Sequence, residues 1–517
     1  MIKPNWSPME HMTNSNQLAA YDKLVKQLKE IAVLESTLSV LGWDERVNMP
    51  HGCTEGRAEQ LSYLARLHHE HFTSPKINEL LSQCESAEIM KSDPRSDFAV
   101  NVRETRRAFD RATKLPGALV EEMARTTSLG EAAWIDARKT SDFKAFEPWL
   151  AKQIDLKRQQ AKCYGYKEHI YDALLDDYEP HATTSQVKGV FDAFRPKLVE
   201  IIRKVTESGK KAPTEILRRH YPQAAQYEFG KQSAAAIGFD FDKGRLDVSV
   251  HPFCTGMGRG DTRMTTRYNE HDMVGAYLGV MHESGHGLYD QGLDEKHWGL
   301  PRGKAVSLGI HESQSRMWEN FVGRSKSFWK FMMPKARAAF DALKDVKEED
   351  FVLAVNDIRP SLIRTEADEA TYNLHIMLRF DLEQQMLVGD LKPADVSAAW
   401  NERMKKDFGI TPPNDAKGCL QDTHWSSGLM GYFPTYALGN MYCAQFFEKA
   451  RQDLGDLDAM FAKGEFKPLL GWLRNNVHRY GMTYTPRELV KHVTGSDLSP
   501  EPLLRHLSKK ASEYYGV

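Results

Sequence analysis

The chain has 517 residues, 41% of them hydrophobic and 27% charged, and its 69 Lys+Arg against 71 Asp+Glu leave a formal net charge of −2. That near-neutral balance argues against a nucleic-acid binder carried by a basic field and against a disordered acidic chain. The length exceeds the ~250–300 residues at which single cores usually stop growing, so one oversized core or two lobes sharing a cleft are expected. The six cysteines are scattered with no CxxC pair, which suits a reducing cytosol and makes thiolate zinc an unlikely design. The opening residues carry no apolar signal core, apolar runs elsewhere fall short of the ~20 residues of a membrane span, and the Asn5-Trp6-Ser7 sequon carries little weight without a secretion signal. The expectation is a cytoplasmic protein with no membrane or nucleic-acid partner.

In chain order, Leu18, Tyr21, Leu24, Leu28, Ile31, Leu34 and Leu38 recur every three or four residues and predict a long amphipathic helix. Similar stripes predict helices over Arg57–His71, Phe98–Thr113, Ala118–Arg138, Phe143–Tyr164 and Thr184–Val205, punctuated by Pro116-Gly117, Gly165, Pro180 and Ser208-Gly209. Between 238 and 266 the texture changes. Phe239–Asp242, Leu246–Val250 and Arg263–Arg267 alternate as short strands of a small sheet, and Thr255–Gly260 reads as a flexible turn, not a dinucleotide loop. Helices then resume at Asp272–Leu288, Lys304–Val322, Ser327–Leu343, Asp368–Leu387, Ala394–Asp407 and Pro434–Leu454. The fold class is therefore mainly α. It is read as one domain, with a helical lobe over about residues 1–237 and a catalytic part with the small sheet over 238–517.

The chemistry is concentrated at His282-Glu283-Ser284-Gly285-His286, inside the predicted helix from Asp272. Two histidines at i and i+4 project from one helix face and can bind one Zn²⁺, with Glu283 beside them to activate water. The apolar turns before them (Val274, Ala276, Tyr277, Leu278, Val280, Met281) favour a buried helix over a surface pair of histidines. A catalytic zinc takes three protein ligands. The extended HExxHxxGxxH form is excluded because Tyr289 and Gly292 occupy its last two fixed positions. Downstream carboxylates that spacing allows are Asp290, Asp294, Glu295, Glu312 and Glu319. Further clusters of binding-type residues lie at His251-Pro252-Phe253, Asp261–Thr265, Ile363–Asp368 and Gly418–Trp425, in loops where functional groups concentrate.

Taken in order, HPF at His251, DxRxT at Asp261, HExxH at His282, HESQ at His311, IRxxAD at Ile363 and GxxQDxHW at Gly418 resemble the motif set of the carboxypeptidase Taq family of zinc metallocarboxypeptidases. The resemblance implies zinc held by His282, His286 and Glu312, with Glu283 as general base. It also implies an all-helical, two-walled, deep-groove fold similar to that of neurolysin and angiotensin-converting enzyme, and a homodimer. Co²⁺ fits the same two imidazoles and carboxylate. His424 and Tyr436 are candidates for stabilising the oxyanion. Releasing one residue from a peptide C-terminus calls for a planar cation on the terminal carboxylate; Arg364 is the first candidate and Arg263 the second, with His251 as a further substrate contact. Asp368, four residues beyond Arg364, is the expected orienting partner. The function expected is removal of single C-terminal residues from short peptides. The alternatives are an endo-oligopeptidase or dipeptidyl carboxypeptidase on the same scaffold, or a helical binding protein with an accidental HExxH.

Overall fold

A computed structural model describes residues 14–517; the Asn5-Trp6-Ser7 sequon lies outside them. The main helices of the first half are α1 (Ser15–Val47), α2 (Thr54–Phe72), α3 (Pro75–Glu85), α4 (Asp97–Lys114), α5 (Gly117–Thr140), α6 (Phe143–Tyr164), α7 (Thr184–Glu207) and α8 (Gln223–Ile237). A three-stranded sheet follows, made of β1 (Gly244–Val248), β2 (Cys254–Gly258) and β3 (Asp261–Thr266). The second half contributes α9 (Met273–Asp290), α10 (Leu308–Arg316), α11 (Lys326–Ala339), α12 (Tyr372–Val388), α13 (Val396–Phe408), α14 (Pro434–Leu454) and α15 (Glu501–Tyr515). The predicted mainly helical fold with one small sheet is what the chain adopts. No described helix is long and apolar enough to cross a membrane.

The start of α1 is set by a capping box, in which Asn14 accepts from the Gln17 amide at 2.9 Å and the Gln17 side chain accepts from the Asn14 amide at 3.1 Å. Its buried stripe, Leu24, Leu28 and Ile31, packs with Leu81 of α3 and Phe98 and Val102 of α4 in a small core that also takes in Leu300. The main core is separate and runs from Ala137 to Tyr515, so α6, α7 and α8 pack with the residues that follow the sheet. Packing thus divides the chain earlier than the change in composition near residue 238. Helix α1 reaches the sheet at its far end, where Trp43 is covered by the guanidinium groups of Arg263 and Arg245 at 4.7 and 5.2 Å.

The sheet order is β1-β3-β2, with β1 parallel and β2 antiparallel to the central β3. Two sequence expectations are corrected here. Phe239–Asp242 forms a turn, and most of the supposed flexible turn at Thr255–Gly260 is strand β2, with a bulge between Gly256 and Gly258. Glycine lowers strand propensity, but the antiparallel pairing to β3 supplies the order that the residues lack by themselves. Met264 of β3 is fully buried and accepts a hydrogen bond from the Ser284 hydroxyl at 3.4 Å, which seats the sheet directly on α9.

The predicted Lys304–Val322 helix also begins later and changes pitch. Ser307 caps α10 through the Ile310 amide at 3.0 Å, and beyond Arg316 the helix widens into a seven-residue π segment, Met317–Gly323. At the other end of the chain, α15 is fastened to the segment ahead of α12 by an inner ion pair. Glu369 accepts from Lys510 at 2.5 Å and from His506 at 2.7 Å. Burial opposes ionisation of Glu369, yet Lys510 and His506 hold its carboxyl well below the usual range.

Replacing one partner of such a pair strands the other charge. Lys510→Ala is therefore expected to destabilise the fold by about 3 kcal/mol or more at neutral pH, read as a lower thermal midpoint. Because a depressed carboxyl contributes its stability above the unfolded value and loses it on acidification, the gap from wild type should shrink progressively below about pH 4. An unchanged gap down to pH 3 would assign the loss to the lysine stem's packing alone.

Candidate metal centre and peptide site

Helix α9 starts at Asp272, whose side chain accepts from the Gly275 amide at 3.1 Å, and its first turns are buried through Met273, Val274, Tyr277, Leu278, Val280 and Met281. This apolar rod carries His282 and His286 one turn apart. The second helix, α10, crosses it closely: a Cβ built on Gly285 would lie 2.5 Å from both the Gln314 carbonyl oxygen and the Ser315 Cα. Any side chain at 285 would push the helices apart. On the opposite side of α10, Gly439 of α14 leaves room for Glu312, whose Cβ and Cγ lie 2.7 Å from a Cβ built there. The Glu312 stem thus packs on α14 at Gly439, while its own helix lies against α9 at Gly285.

The ligand atoms of His282, His286 and Glu312 all lie within 4.8 Å of one another, the one group of three or more potential metal ligands among the described residues. Glu312 Oε2 stands 3.6 Å from His282 Nε2 and 3.5 Å from His286 Nε2. Tetrahedral zinc with bonds of about 2.0–2.1 Å separates its ligand atoms by about 3.4 Å, so the donor set fits such an ion. The imidazole side chains keep 20% and 18% of their exposure while the Glu312 side chain keeps 6%. The two histidines form the accessible side of the cluster.

Each histidine is held from behind by a different device. His282 Nδ1 lies 2.9 Å from Glu319 Oε2, and Glu319 sits in the π segment. His286 Nδ1 lies 2.5 Å from His311 Nδ1, and His311 Nε2 lies 3.2 Å from Asp290 Oδ1. With Asp290 accepting the His311 Nε2 proton, His311 Nδ1 becomes the acceptor for His286 Nδ1–H. Both ligand histidines then present a bare Nε2 toward Glu312, the tautomer a metal requires. Burial keeps His286 neutral, with its pKa lowered to about 4. Of the acidic candidates from the sequence, Glu319 therefore stands behind His282, and Asp290 stands behind His286 through His311. Asp294 and Glu295 face outward, where Glu295 pairs with Lys243 at 2.6 Å and Asp294 with Lys296 at 3.6 Å.

Arg316 is the group that sequence reasoning missed. Its Nε donates to Glu312 Oε1 at 2.7 Å, its Nη1 donates to Glu319 Oε2 at 2.8 Å, and its guanidinium lies 4.6 Å over the Tyr372 ring. One cation thereby fixes Glu312 and Glu319 together, while Oε2 of Glu312, which also accepts from the Ser315 hydroxyl at 2.9 Å, faces the imidazoles. The signal was present as Glu312 and Arg316 at i and i+4 on one helix. Against the push of burial, Arg316 and His282 hold Glu319 down to about 2. Glu283 behaves differently. It is 6% exposed, receives no hydrogen bond from the described residues, and burial raises its carboxyl to about 7. Of the three carboxylates gathered here, Glu283 alone keeps its oxygens free.

The remaining motif residues form a second cluster. Asp422 lies between two guanidiniums, accepting from Arg364 Nε at 2.9 Å and Arg379 Nε at 2.7 Å, and burial is overcome so far that its carboxyl falls well below the usual range. Arg364 also donates to the Tyr372 hydroxyl at 2.9 Å. The expected orienting role of Asp368 is corrected: Asp368 caps the approach to α12 through the Ala370 and Thr371 amides at 2.8 and 3.1 Å, and Asp422 pairs with Arg364. His424 stacks on Phe433 at 4.4 Å, its Nε2 is 3.4 Å from the Tyr436 hydroxyl, and burial lowers it to about 4. The loop carrying it is fixed by buried Glu383, which accepts from Trp425 Nε1 at 2.9 Å, Tyr171 at 2.7 Å and the Gly431 amide at 3.1 Å.

Arg263 and His251 are not part of either cluster. Arg263 is engaged in two bonds with Asp261, at 2.9 and 2.7 Å, beneath Trp43. His251 is exposed, and its ring makes no hydrogen bond or ion pair among the described residues.

A model of the carboxypeptidase Taq (M32) metallopeptidase family matches residues 23–511. Thermostable carboxypeptidase 1 of Thermus thermophilus is 45% identical over 510 residues, covering 96% of this chain and 99% of the relative. Carboxypeptidase 1 of Bacillus subtilis is 38% identical, covering 94% of this chain and 97% of the relative. The crystal structure of an M32 carboxypeptidase from Deinococcus radiodurans superposes with a TM-score of 0.93 at 38% identity, over 96% of this chain and 100% of the other.

The glycine contact between α9 and α10 has a direct test in protein stripped of metal. Gly285→Ala should cost about 1–3 kcal/mol and lower the thermal midpoint, because the obstructing atoms are backbone. Gly279→Ala in the same helix meets only the Thr266 hydroxyl oxygen, at 3.2 Å, and should cost less. Equal midpoints for the two variants would show that the crossing tolerates a methyl group.

Proposed function

The chain belongs to the carboxypeptidase Taq (M32) family of metallopeptidases and is a metallocarboxypeptidase, and from that membership we propose that it is a zinc enzyme releasing single C-terminal residues from short peptides. His282, His286 and Glu312 are the proposed ligands, and Co²⁺ is accepted by the same donors. What carries the proposal is the buried Glu283 carboxylate, which accepts no hydrogen bond from the described residues, beside a three-donor cluster of zinc-like spacing.

The bound ion supplies Lewis-acid polarisation of the scissile carbonyl and of the attacking water. Glu283 accepts the water proton on a carboxylate oxygen and passes it to the leaving amine nitrogen. His424, kept neutral by burial, and the Tyr436 hydroxyl are the proposed donors to the developing oxyanion. Arg364 is the proposed anchor for the peptide's terminal carboxylate. A guanidinium has five N–H donors, and Asp422 and Tyr372 engage three of them. Because Arg364 and Arg379 share the single charge of Asp422, the cluster has one positive charge in excess. Arg263 is neutralised one-to-one by Asp261 and carries no such excess, which supports Arg364 as the anchor; His251 remains proposed only as an outer substrate contact.

A homodimer is proposed on the family resemblance, and a cytoplasmic setting on the six unpaired cysteines. An elution mass of one chain in solution would remove the dimer.

A timed digest followed by mass spectrometry tests the reaction: a ladder losing one residue at a time is expected, and it should stop when a chelator is added. Internal cuts or loss of dipeptides would replace the proposal with the endo-oligopeptidase or dipeptidyl alternative. Glu283→Gln should retain metal and lose turnover by at least about a hundredfold, whereas His286→Ala should lose both. Arg364→Ala should slow peptides with a free C-terminus far more than amidated ones.

A further inference from the structure

We propose that Glu179 is a positioning residue for Glu312, through which the seating of the first-half segment Asp176–His181 sets the geometry of the metal centre; this rests on the ligand assignment above. Glu179 is fully buried and has no cationic partner among the described residues; burial raises its carboxyl to about 7. Its oxygens are taken up by three donors: the Gly309 amide at 3.1 Å, the Tyr442 hydroxyl at 2.8 Å and the Ser307 side chain.

Those donors surround the start of α10, one turn before Glu312. The first amides of a helix have no partner within it. Here Leu308 N–H donates to the Tyr178 carbonyl at 3.0 Å, Gly309 N–H to Glu179, Ile310 N–H to Ser307 Oγ at 3.0 Å and His311 N–H to the Ser307 carbonyl at 3.0 Å. Two of the four are thus satisfied from outside, by adjacent residues of one segment. Glu179 also places a carboxylate at the positive end of α10. The approach is so close that a Cβ built on Gly309 would lie 2.5 Å from Glu179 Oε2.

The same carboxylate reaches α14 through Tyr442. Three residues earlier on that helix, Gly439 presses on the Glu312 stem, so one face of α14 touches both the ligand and the residue that seats the ligand's helix. The segment itself is anchored to the first half. Arg107 and Arg111 of α4 pair with Asp176 at 2.7 and 2.8 Å, and Arg111 pairs with Asp177 at 2.5 Å. Asp176 also accepts from the His181 amide at 2.7 Å, where the backbone turns through φ 64°. Tyr178 meets Tyr432 edge-on at 5.1 Å, and Tyr432 lies against Tyr436. Displacing this segment would disturb the ligand helix and the proposed oxyanion donor together.

The test measures Zn²⁺ affinity by competition with a chromophoric chelator, well below the melting temperature, alongside kcat and KM. Glu179→Ala and Gly309→Ala should each weaken Zn²⁺ binding about 10–100-fold and lower kcat with KM little changed. Glu179→Gln, which keeps an acceptor for Gly309 N–H, should restore affinity to within about threefold of wild type. Gly309→Ala keeps the proposal falsifiable if Glu179→Ala folds poorly, since it raises helix propensity while displacing the carboxylate. Wild-type affinity in Gly309→Ala or Glu179→Ala, even with a lower melting temperature, would overturn the positioning role alone. Failure of the wild-type protein to bind Zn²⁺ would overturn the ligand assignment and this role with it.

Discussion

The site depends on how closely three helices stack. Helix α9 carries both histidines, α10 carries Glu312, and α14 backs Glu312 from the far side. A carboxylate can face two imidazoles at 3.5–3.6 Å only if α10 lies almost against α9, and Gly285 permits that contact where any other residue would meet backbone. Gly439 supplies the matching gap on α14. The first functional requirement on this sequence is thus the absence of side chains at two places, and the polar groups follow from the proximity it creates.

Close packing brings carboxylates together, and their repulsion has to be managed. Glu283, Glu312 and Glu319 are all buried within the same few turns. Arg316 binds Glu312 and Glu319 at once and fixes their orientation, and Arg324, 3.7 Å from Glu319, brings a second positive charge to the two carboxylates. Glu283 is left outside this arrangement. Without an opposing donor its charged form is penalised by burial, and its carboxyl is raised while Glu319 is lowered. Two glutamates within one site therefore acquire opposite proton affinities from their neighbours alone. The π segment contributes to this separation, since the wider turn after Arg316 is where Glu319 stands to meet His282 Nδ1.

Much of this is legible in the sequence, and what is not has a physical reason. The long helices carry 3.6-residue periodicity, and the i, i+4 spacing of His282 and His286 by itself puts both imidazoles on one helix face. Choosing among five downstream carboxylates needs the helix crossing, because spacing along the chain does not say which second helix comes near. Arg364 stands out in its motif, but its partner does not: Asp368 is local in sequence, whereas Asp422 reaches it from 58 residues away through the fold. Strand β2 is hidden for a similar reason. Glycines at 256 and 258 read as a turn, and only pairing with β3 makes them strand. Roles for His311, Asp290 and Glu319 are invisible in the sequence because each acts on another side chain and leaves no mark on periodicity, whereas Arg316 is signalled only by its i, i+4 spacing from Glu312.

Tyr372 joins the two clusters that the motifs define separately. Its ring lies under Arg316, which grips the proposed ligand Glu312, and its hydroxyl accepts from Arg364, the proposed anchor of the terminal carboxylate. Its neighbour Tyr436 meets it at right angles, with ring centroids 6.0 Å apart. An exopeptidase needs a fixed interval between the chemistry and the end of its substrate, because a drift of one residue's length changes which bond is cut. On the proposed assignment, that interval is spanned by one rigid aromatic side chain with two χ angles, held at both ends by guanidiniums. On the same assignment, the interval between Glu312 and Arg364 is a matter of packing, fixed by how Tyr372 sits between Arg316 and Arg364.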